Sequence, residues 1–103
     1  NFEIDQELIS YIHQEKIEEV EENIKKTLSN NGFKNIDVKI NYSTDNNTLS
    51  YNSCSLNLSN LVMDEKVQHI NKYEFIKDVV GSLTALTDEE IIIHEWQRKK
   101  TWF

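Results

Sequence analysis

Apolar residues recur at steps of three and four along the first third of the chain. The stripe consists of Ile9, His13, Ile17, Val20, Ile24 and Leu28. Glutamates and Lys26 occupy its flanks and the opposite side. This spacing predicts an amphipathic helix with one face in a core. Gly32 follows Asn30-Asn31, and glycine often supplies the left-handed residue that ends a helix. We therefore predict a helix from Ile9 to Asn30.

Three apolar residues near the start of the chain do not belong to this stripe. At about 100° per residue, Ile4, Leu8 and Tyr11 point away from the side that carries Ile17 to Leu28. One interpretation is a separate or continuing helical arm over residues 2–12, whose apolar side serves something other than this core. The other is a helix that curves around its own domain.

Two extended segments follow the helix. Residues 35–42 alternate between apolar and polar positions, which predicts a half-buried strand. In the second segment, Leu49 and Tyr51 occupy odd positions, whereas Cys54, Leu56 and Leu58 occupy even ones. A strand has a period of two, so this change of phase predicts a bulge near residues 52–53. We place the paired part of the second strand at residues 54–63 and expect a long hairpin connection before it.

A second helix is predicted after residue 70. Asn71 followed by Glu74 is typical of a capped helix start, although the spacing of Val67 and Ile70 would also suit an earlier one. Its expected buried face comprises Ile76, Val79, Val80, Leu83 and Leu86. Gly81 lies inside this helix, where it would permit close approach to a sheet.

The closing segment carries two opposed signals. Residues 87–90 resemble a capping box, which favours a third helix. Ile91, Ile92 and Ile93 are β-branched, which favours a strand. We predict a strand from Glu90 to Trp96. The resulting order, α-β-β-α-β, predicts an α+β two-layer sandwich with both helices on one face of a small three-stranded sheet.

Composition and charge exclude several classes of protein. The length of 103 residues suits one domain, and Cys54, the only cysteine, excludes an internal disulfide. Residues 1–23 carry the whole net charge of −7, because ten acids and ten bases cancel in residues 24–103. That balance argues against nucleic-acid binding. The acidic segment is either a solvated helix face or a surface that meets a basic partner. The sole concentrated basic stretch is residues 97–100.

Catalytic and metal-binding patterns are absent from the sequence. The histidines at 13, 69 and 94 lack the spacing of a helical zinc pair, and Glu65 with His69 supplies only two ligands. Cys54 has no cationic neighbour that would activate a thiol. The acids at 88–90 are explained by helix-end chemistry. We therefore expect no enzyme activity, no metal and no cofactor.

Large aromatic residues flank the basic tail. Trp96, Trp102 and Phe103 either pack back onto the sheet or anchor another subunit. Together with the acidic helix, they define a candidate protein interface. Its residues are Ile4, Leu8, Tyr11, Glu18, Glu22, Arg98, Lys99 and Trp102.

Residues 22–40 resemble the ring-building motif of sporulation and secretion assemblies, in which a helix ends at a Gly-aromatic pair and continues into a Val/Ile-rich strand. Here that pair is Gly32-Phe33. Residues 83–93 are similar to the segment that leads into the last strand in the stage III sporulation protein AF family. The resemblance covers residues 13–96, with residues 1–12 as a helical arm or linker and residues 97–103 as a tail.

The resemblance implies a non-catalytic assembly module, anchored to a membrane by a segment upstream of Asn1. It would belong to the mother-cell to forespore channel complex and face the cytoplasm or the space between the two cells. Its partners would be protein subunits, with a second copy among the candidates. The alternative is a small acidic inhibitor or immunity protein that blocks a basic site on a toxin or defence protein. The net negative charge argues against an RNA-binding module, and the chain lacks the Gly-x-x-Gly loop that such a module would use.

Overall fold

The computed structural model describes the backbone of residues 2–95 and the side chains of residues 7–95. Its helices are α1 (Phe2–Asn30) and α2 (Lys72–Thr84). Its strands are β1 (Phe33–Lys34), β2 (Asp37–Asp45), β3 (Thr48–Asn57), β4 (Val62–Met63) and β5 (Ile91–His94). Short 3-10 turns lie at Glu65–Val67 and Asp88–Glu90. The predicted α+β order is confirmed, with β1 and β4 as additions that the sequence did not indicate.

The main sheet has the strand order β2-β3-β5. β2 and β3 are antiparallel, whereas β3 and β5 are parallel, so Ile40, Cys54 and Ile91 lie opposite one another. α1 packs against β2 and α2, and α2 packs against β5. Both helices therefore cover one face of the three-stranded sheet, as predicted.

The connection between β2 and β3 differs from the prediction. We expected a long hairpin loop and a second strand over residues 54–63. The strands instead extend to Asp45 and from Thr48, and a two-residue turn joins them. Asn46 and Asn47 both have positive φ, which is the conformation of a type I′ hairpin turn. Residues 62–63 belong to β4, which pairs with β1 in a separate two-stranded sheet.

The predicted irregularity in the second strand is confirmed. Asn41 pairs with Ser53 and Tyr42 pairs with Tyr51, so Asn52 is the extra residue of a bulge. The bulge restores the phase of the strand, because it places Tyr51 on the same side as Cys54. The whole length of β3 thus directs its apolar residues towards the helices.

The core lies between the helices and the sheet. From α1 it takes Ile17, Val20, Ile24 and Leu28, from α2 Ile76 and Val80, and from the strands Ile40, Cys54, Leu56 and Ile91 among others. The stripe predicted for α1 is therefore confirmed from Ile17 onwards. Leu83 was expected on the buried face of α2, but 43% of it is exposed. Leu86, which lies beyond the end of the helix, is buried as predicted.

Backbone conformation and capping define where the helices end. Gly32 follows α1 with a φ of +93°, as its position after Asn30-Asn31 predicted. The Asn71 side chain accepts hydrogen bonds from the backbone N–H groups of Tyr73 and Glu74 and so caps α2. Ala85 ends α2 in the left-handed region, with a φ of +64°.

The closing segment contains both a helical turn and a strand, in that order. The Thr87 backbone N–H donates to the Glu90 carboxylate at 3.0 Å, and the capping box begins a single 3-10 turn. The chain then becomes β5, in which Ile91 is buried and Ile92 is exposed on the other face of the sheet. The predicted strand from Glu90 to Trp96 is confirmed for 91–94. It is shorter at both ends, because Glu90 belongs to the 3-10 turn and Glu95 already lies beyond the strand, while Trp96 lies outside the described residues.

Candidate protein interface

Three large apolar side chains are exposed on one side of the first half of α1. Leu8, Tyr11 and Ile12 are 55%, 59% and 51% exposed. Their spacing of three and four residues places them on a single helix face. We call these three residues the apolar patch. An exposed apolar cluster bordered by polar residues is typical of a surface that binds another molecule.

The opposite side of the same helical segment contacts the β2–β3 hairpin. Ile9 and His13 are partly buried, and they line a small cavity together with Tyr42, Thr44 and Asn47. The hairpin is long because β2 and β3 continue past the bulge, and so it supports α1 beyond the core. This contact fixes the orientation of the helix, and the apolar patch consequently faces away from the sheet.

An acidic row continues the same outer face towards the centre of α1. It consists of Glu15, Glu18, Glu19 and Glu22. Two lysines accompany it: Lys16 lies 3.6 Å from Glu19 and Lys25 lies 4.0 Å from Glu22, and all four side chains are largely exposed. The four glutamates outnumber the two lysines, so the row keeps a net charge of about −2. The outer face therefore presents apolar groups followed by net negative charge.

Tyr11 connects the two parts of this surface. Glu15 lies one helical turn later on the same face of α1. Hydrogen bonding to the Glu15 carboxylate, followed by the negative charge of that carboxylate, raises the pKa of Tyr11. Tyr11 is therefore an exposed aromatic residue that lies beside the first glutamate of the acidic row.

The structure brings together four of the residues predicted for the interface. Leu8, Tyr11, Glu18 and Glu22 share the outer face of α1. Ile4 belongs to the first turns of the same helix, but its side chain lies outside the described part. Arg98, Lys99 and Trp102 also lie outside it. The sequence analysis missed Ile12, although its position four residues after Leu8 indicates the same face.

Cys54 lies at the centre of the sheet and is fully buried. Burial, followed by the negative charge of Glu21, raises the pKa of its thiol to about 12. The thiolate is the nucleophilic form of cysteine. Cys54 is thus held in its unreactive thiol form at neutral pH, and it serves as a small core residue.

A polar cluster joins the end of β5 to the start of α2. The Glu95 carboxylate accepts hydrogen bonds from the Lys72 ammonium and the Tyr73 hydroxyl. These two bonds lower the pKa of Glu95, and they raise the pKa values of Lys72 and Tyr73. The cluster fastens two elements together and borders no enclosed cavity among those that the described residues line.

Two absences hold for the described part of the chain. Residues 7–95 contain no group of three metal-ligating side chains close enough together to hold an ion. Within residues 2–95, neither helix combines the length and the apolar character needed to cross a membrane.

The fold and its exposed surface define a small α+β domain whose first helix carries an apolar and acidic outer face. A scan against models of known protein families, a search of curated proteins and a search of solved structures each found no match to the chain.

Proposed function

We propose that the protein is a non-catalytic assembly module that binds another protein subunit through the outer face of α1. The observation that carries this proposal is the position of Leu8, Tyr11 and Ile12, which are exposed together on the side of α1 turned away from the sheet. An amphipathic helix with such a face commonly docks into a groove or against another helix on its partner.

Two further features support a protein partner. The patch lies on a regular helix, which is held by the core from Ile17 to Leu28 and by the hairpin near its start. A surface on a rigid element loses little conformational entropy on binding. The acidic row beside the patch supplies orientation, since charge complementarity selects partners and fixes register.

A narrower assignment follows from the resemblance of residues 22–40 and 83–93 to ring-building sporulation domains. On that basis the module is the soluble domain of a membrane-anchored protein in the mother-cell to forespore channel complex. The order α-β-β-α-β with both helices on one face of the sheet supports this assignment.

The acidic row supports a second candidate, a small acidic inhibitor of a basic site on a toxin or defence protein. Such an inhibitor depends mainly on charge, whereas an assembly module depends mainly on the apolar patch. Glu18→Gln/Glu22→Gln and Leu8→Ser/Ile12→Ser therefore distinguish the two candidates.

The test uses both double variants in the full-length protein, in the cells that produce it. Native electrophoresis measures the size of the complexes that contain the protein, and immunoblotting measures its amount. We expect Leu8→Ser/Ile12→Ser to release the protein from a larger complex without lowering its amount, and to reduce heat-resistant spores. Leu83→Ser is the matched control, because it alters an exposed leucine on the other helix. A complex that survives the patch variant would contradict the proposal.

A further inference from the structure

We infer that the outer face of α1 binds residues 96–103 of a second copy of this chain, in a head-to-tail contact. This inference rests on the proposed function, because it names the partner of the same surface. The occupant is a segment that follows β5 directly, with the sequence Trp-Gln-Arg-Lys-Lys-Thr-Trp-Phe.

The two surfaces have complementary chemistry. All eighteen acids and eight of the eleven bases lie within residues 2–95, so that part carries a net charge of −10, whereas residues 96–103 carry +3. Within the tail, three consecutive bases precede Thr101, Trp102 and Phe103. On α1 the order is an apolar patch and then an acidic row. An antiparallel arrangement places the bases of the tail on the glutamates and its last aromatic residues on Leu8 and Ile12.

The fold places the end of β5 far from the apolar patch of its own copy. The Ile40 backbone N–H donates to Glu21 at 2.8 Å, and Ile40 is level with Ile91 across the sheet. Glu21 on α1 is thus level with the start of β5. From there α1 leads back to Leu8 at the hairpin turn, whereas β5 is parallel to β3 and runs away from that turn.

The separation exceeds the length of the tail. Leu8 and Ile12 lie about 14–20 Å from Glu21 at ~1.5 Å per helical residue. Glu95 lies about 13 Å from Ile91 in the opposite direction at ~3.3 Å per residue. Because α1 lies over β2, the patch is also displaced from β5 by two strand spacings, about 10 Å, across the sheet. The helix layer adds about 10 Å above the sheet. The straight-line distance is therefore at least about 30 Å, whereas seven residues from Glu95 to Trp102 span at most about 25 Å.

A contact between the tail of one copy and the helix of the next has two different surfaces. Such a heterologous contact repeats from copy to copy, and it produces a ring if the rotation closes and an open filament if it does not. In such a series, each copy uses its helix for one neighbour and its tail for the other. Assembly would consequently grow with concentration beyond the dimer.

The test is sedimentation of the full chain over concentrations up to the millimolar range. We expect a weight-average mass that rises past that of a dimer and falls at high salt, because added ions screen the contact between bases and glutamates. Leu8→Ser/Ile12→Ser removes the helix surface, and Arg98→Gln/Lys99→Gln/Trp102→Ser removes the tail surface. Each variant should weaken self-association at least tenfold, whereas Leu83→Ser should leave it unchanged.

Mixing the two variants gives the decisive result. The helix variant keeps a functional tail and the tail variant keeps a functional helix, so the mixture can form one contact and no more. We expect a dimer from the mixture and monomers from each variant alone. Thermal unfolding of the helix variant should match that of the parent chain, because Leu8 and Ile12 are exposed.

Three results would overturn the inference. The first is a full chain that stays monomeric, and the second is self-association that survives the tail variant. The third is a mixture that forms no dimer. A monomeric chain would leave the proposed function intact, because release of the patch variant from a cellular complex tests that function separately.

Discussion

The carboxylate of Glu21 on α1 accepts a hydrogen bond from the backbone N–H of Ile40 on β2, at 2.8 Å. β2 is an edge strand of the main sheet, and an unpaired edge amide is a site where another strand can add. The helix therefore satisfies an amide that strand pairing leaves open. This bond also aligns α1 with the sheet, which determines where its outer face points.

Glu21→Ala should destabilise the fold by about 1–2 kcal/mol, because it removes a charged acceptor and leaves the Ile40 amide without a partner. The midpoint of thermal unfolding should fall by several degrees. Glu22→Ala is the matched control. Glu22 is the next residue along the chain and its side chain is exposed, so this substitution should change stability by less than about 0.5 kcal/mol. Equal effects of the two substitutions would show that the bond has no structural role.

Glu95→Gln should reduce stability in a pH-dependent manner. The pKa of Glu95 is lowered in the folded chain by its bonds to Lys72 and Tyr73. Its contribution is therefore present above the unfolded carboxyl pKa, about 4.3, and is lost as pH falls through the lower folded value. At neutral pH we expect a loss of about 0.5–1 kcal/mol.

Denaturant unfolding of Glu95→Gln and the parent chain from neutral pH to below pH 3 measures this difference. The two curves should converge at the acid end. Glu65→Gln, at an exposed glutamate, provides the control. A difference that stays constant across the range would exclude the ionised carboxylate as its cause.

Ala85→Gly should stabilise the protein by about 0.5–1 kcal/mol. Ala85 has a φ of +64°, a region in which a side chain costs about 1 kcal/mol and which glycine adopts freely. Gly32→Ala is the reverse experiment: its φ is +93°, and an added Cβ would lie 3.0 Å from Val67 Cγ2. It should destabilise by more than about 1 kcal/mol. Chemical denaturation checks both, and a loss of stability in Ala85→Gly would contradict the account of this cap.

Removal of residues 1–11 should leave the domain folded. The core contribution of α1 begins at Ile17, whereas Leu8 and Tyr11 are exposed. We expect the melting temperature to change by only a few degrees. Ile24→Ala, at a fully buried position, should in contrast cost about 2–5 kcal/mol. A large fall in melting temperature after the truncation would show that the contact of Ile9 with the hairpin is essential to the fold.

Local patterns in the sequence were sufficient to predict most of the fold. Hydrophobic periodicity gave the buried stripe of α1, and the change of phase near Asn52 gave the bulge. The capping box at residues 87–90 begins only a single 3-10 turn. The three isoleucines at 91–93 therefore form a strand, as their β-branched side chains favour. Each of these features depends on neighbours along the chain.

Features that depend on tertiary contacts were not predictable in this way. The hairpin is longer than expected because Ser43, Thr44 and Thr48 pair across strands although their composition is typical of a loop. The bond between Glu21 and Ile40 joins residues nineteen positions apart. For the interface, periodicity separated Leu8 and Tyr11 from the core stripe. The same spacing indicates Ile12, which the sequence analysis missed and whose exposure the structure shows.

Site-specific photocrosslinking in the producing cells tests the role of the outer face most directly. A photoreactive residue replaces Ile12 on α1 in one strain and Ile92, which is 42% exposed on the open face of the sheet, in another. We predict a discrete crosslinked adduct from position 12 and none from position 92. An adduct from position 92 alone would contradict the account, because it would place the partner on the open face of the sheet.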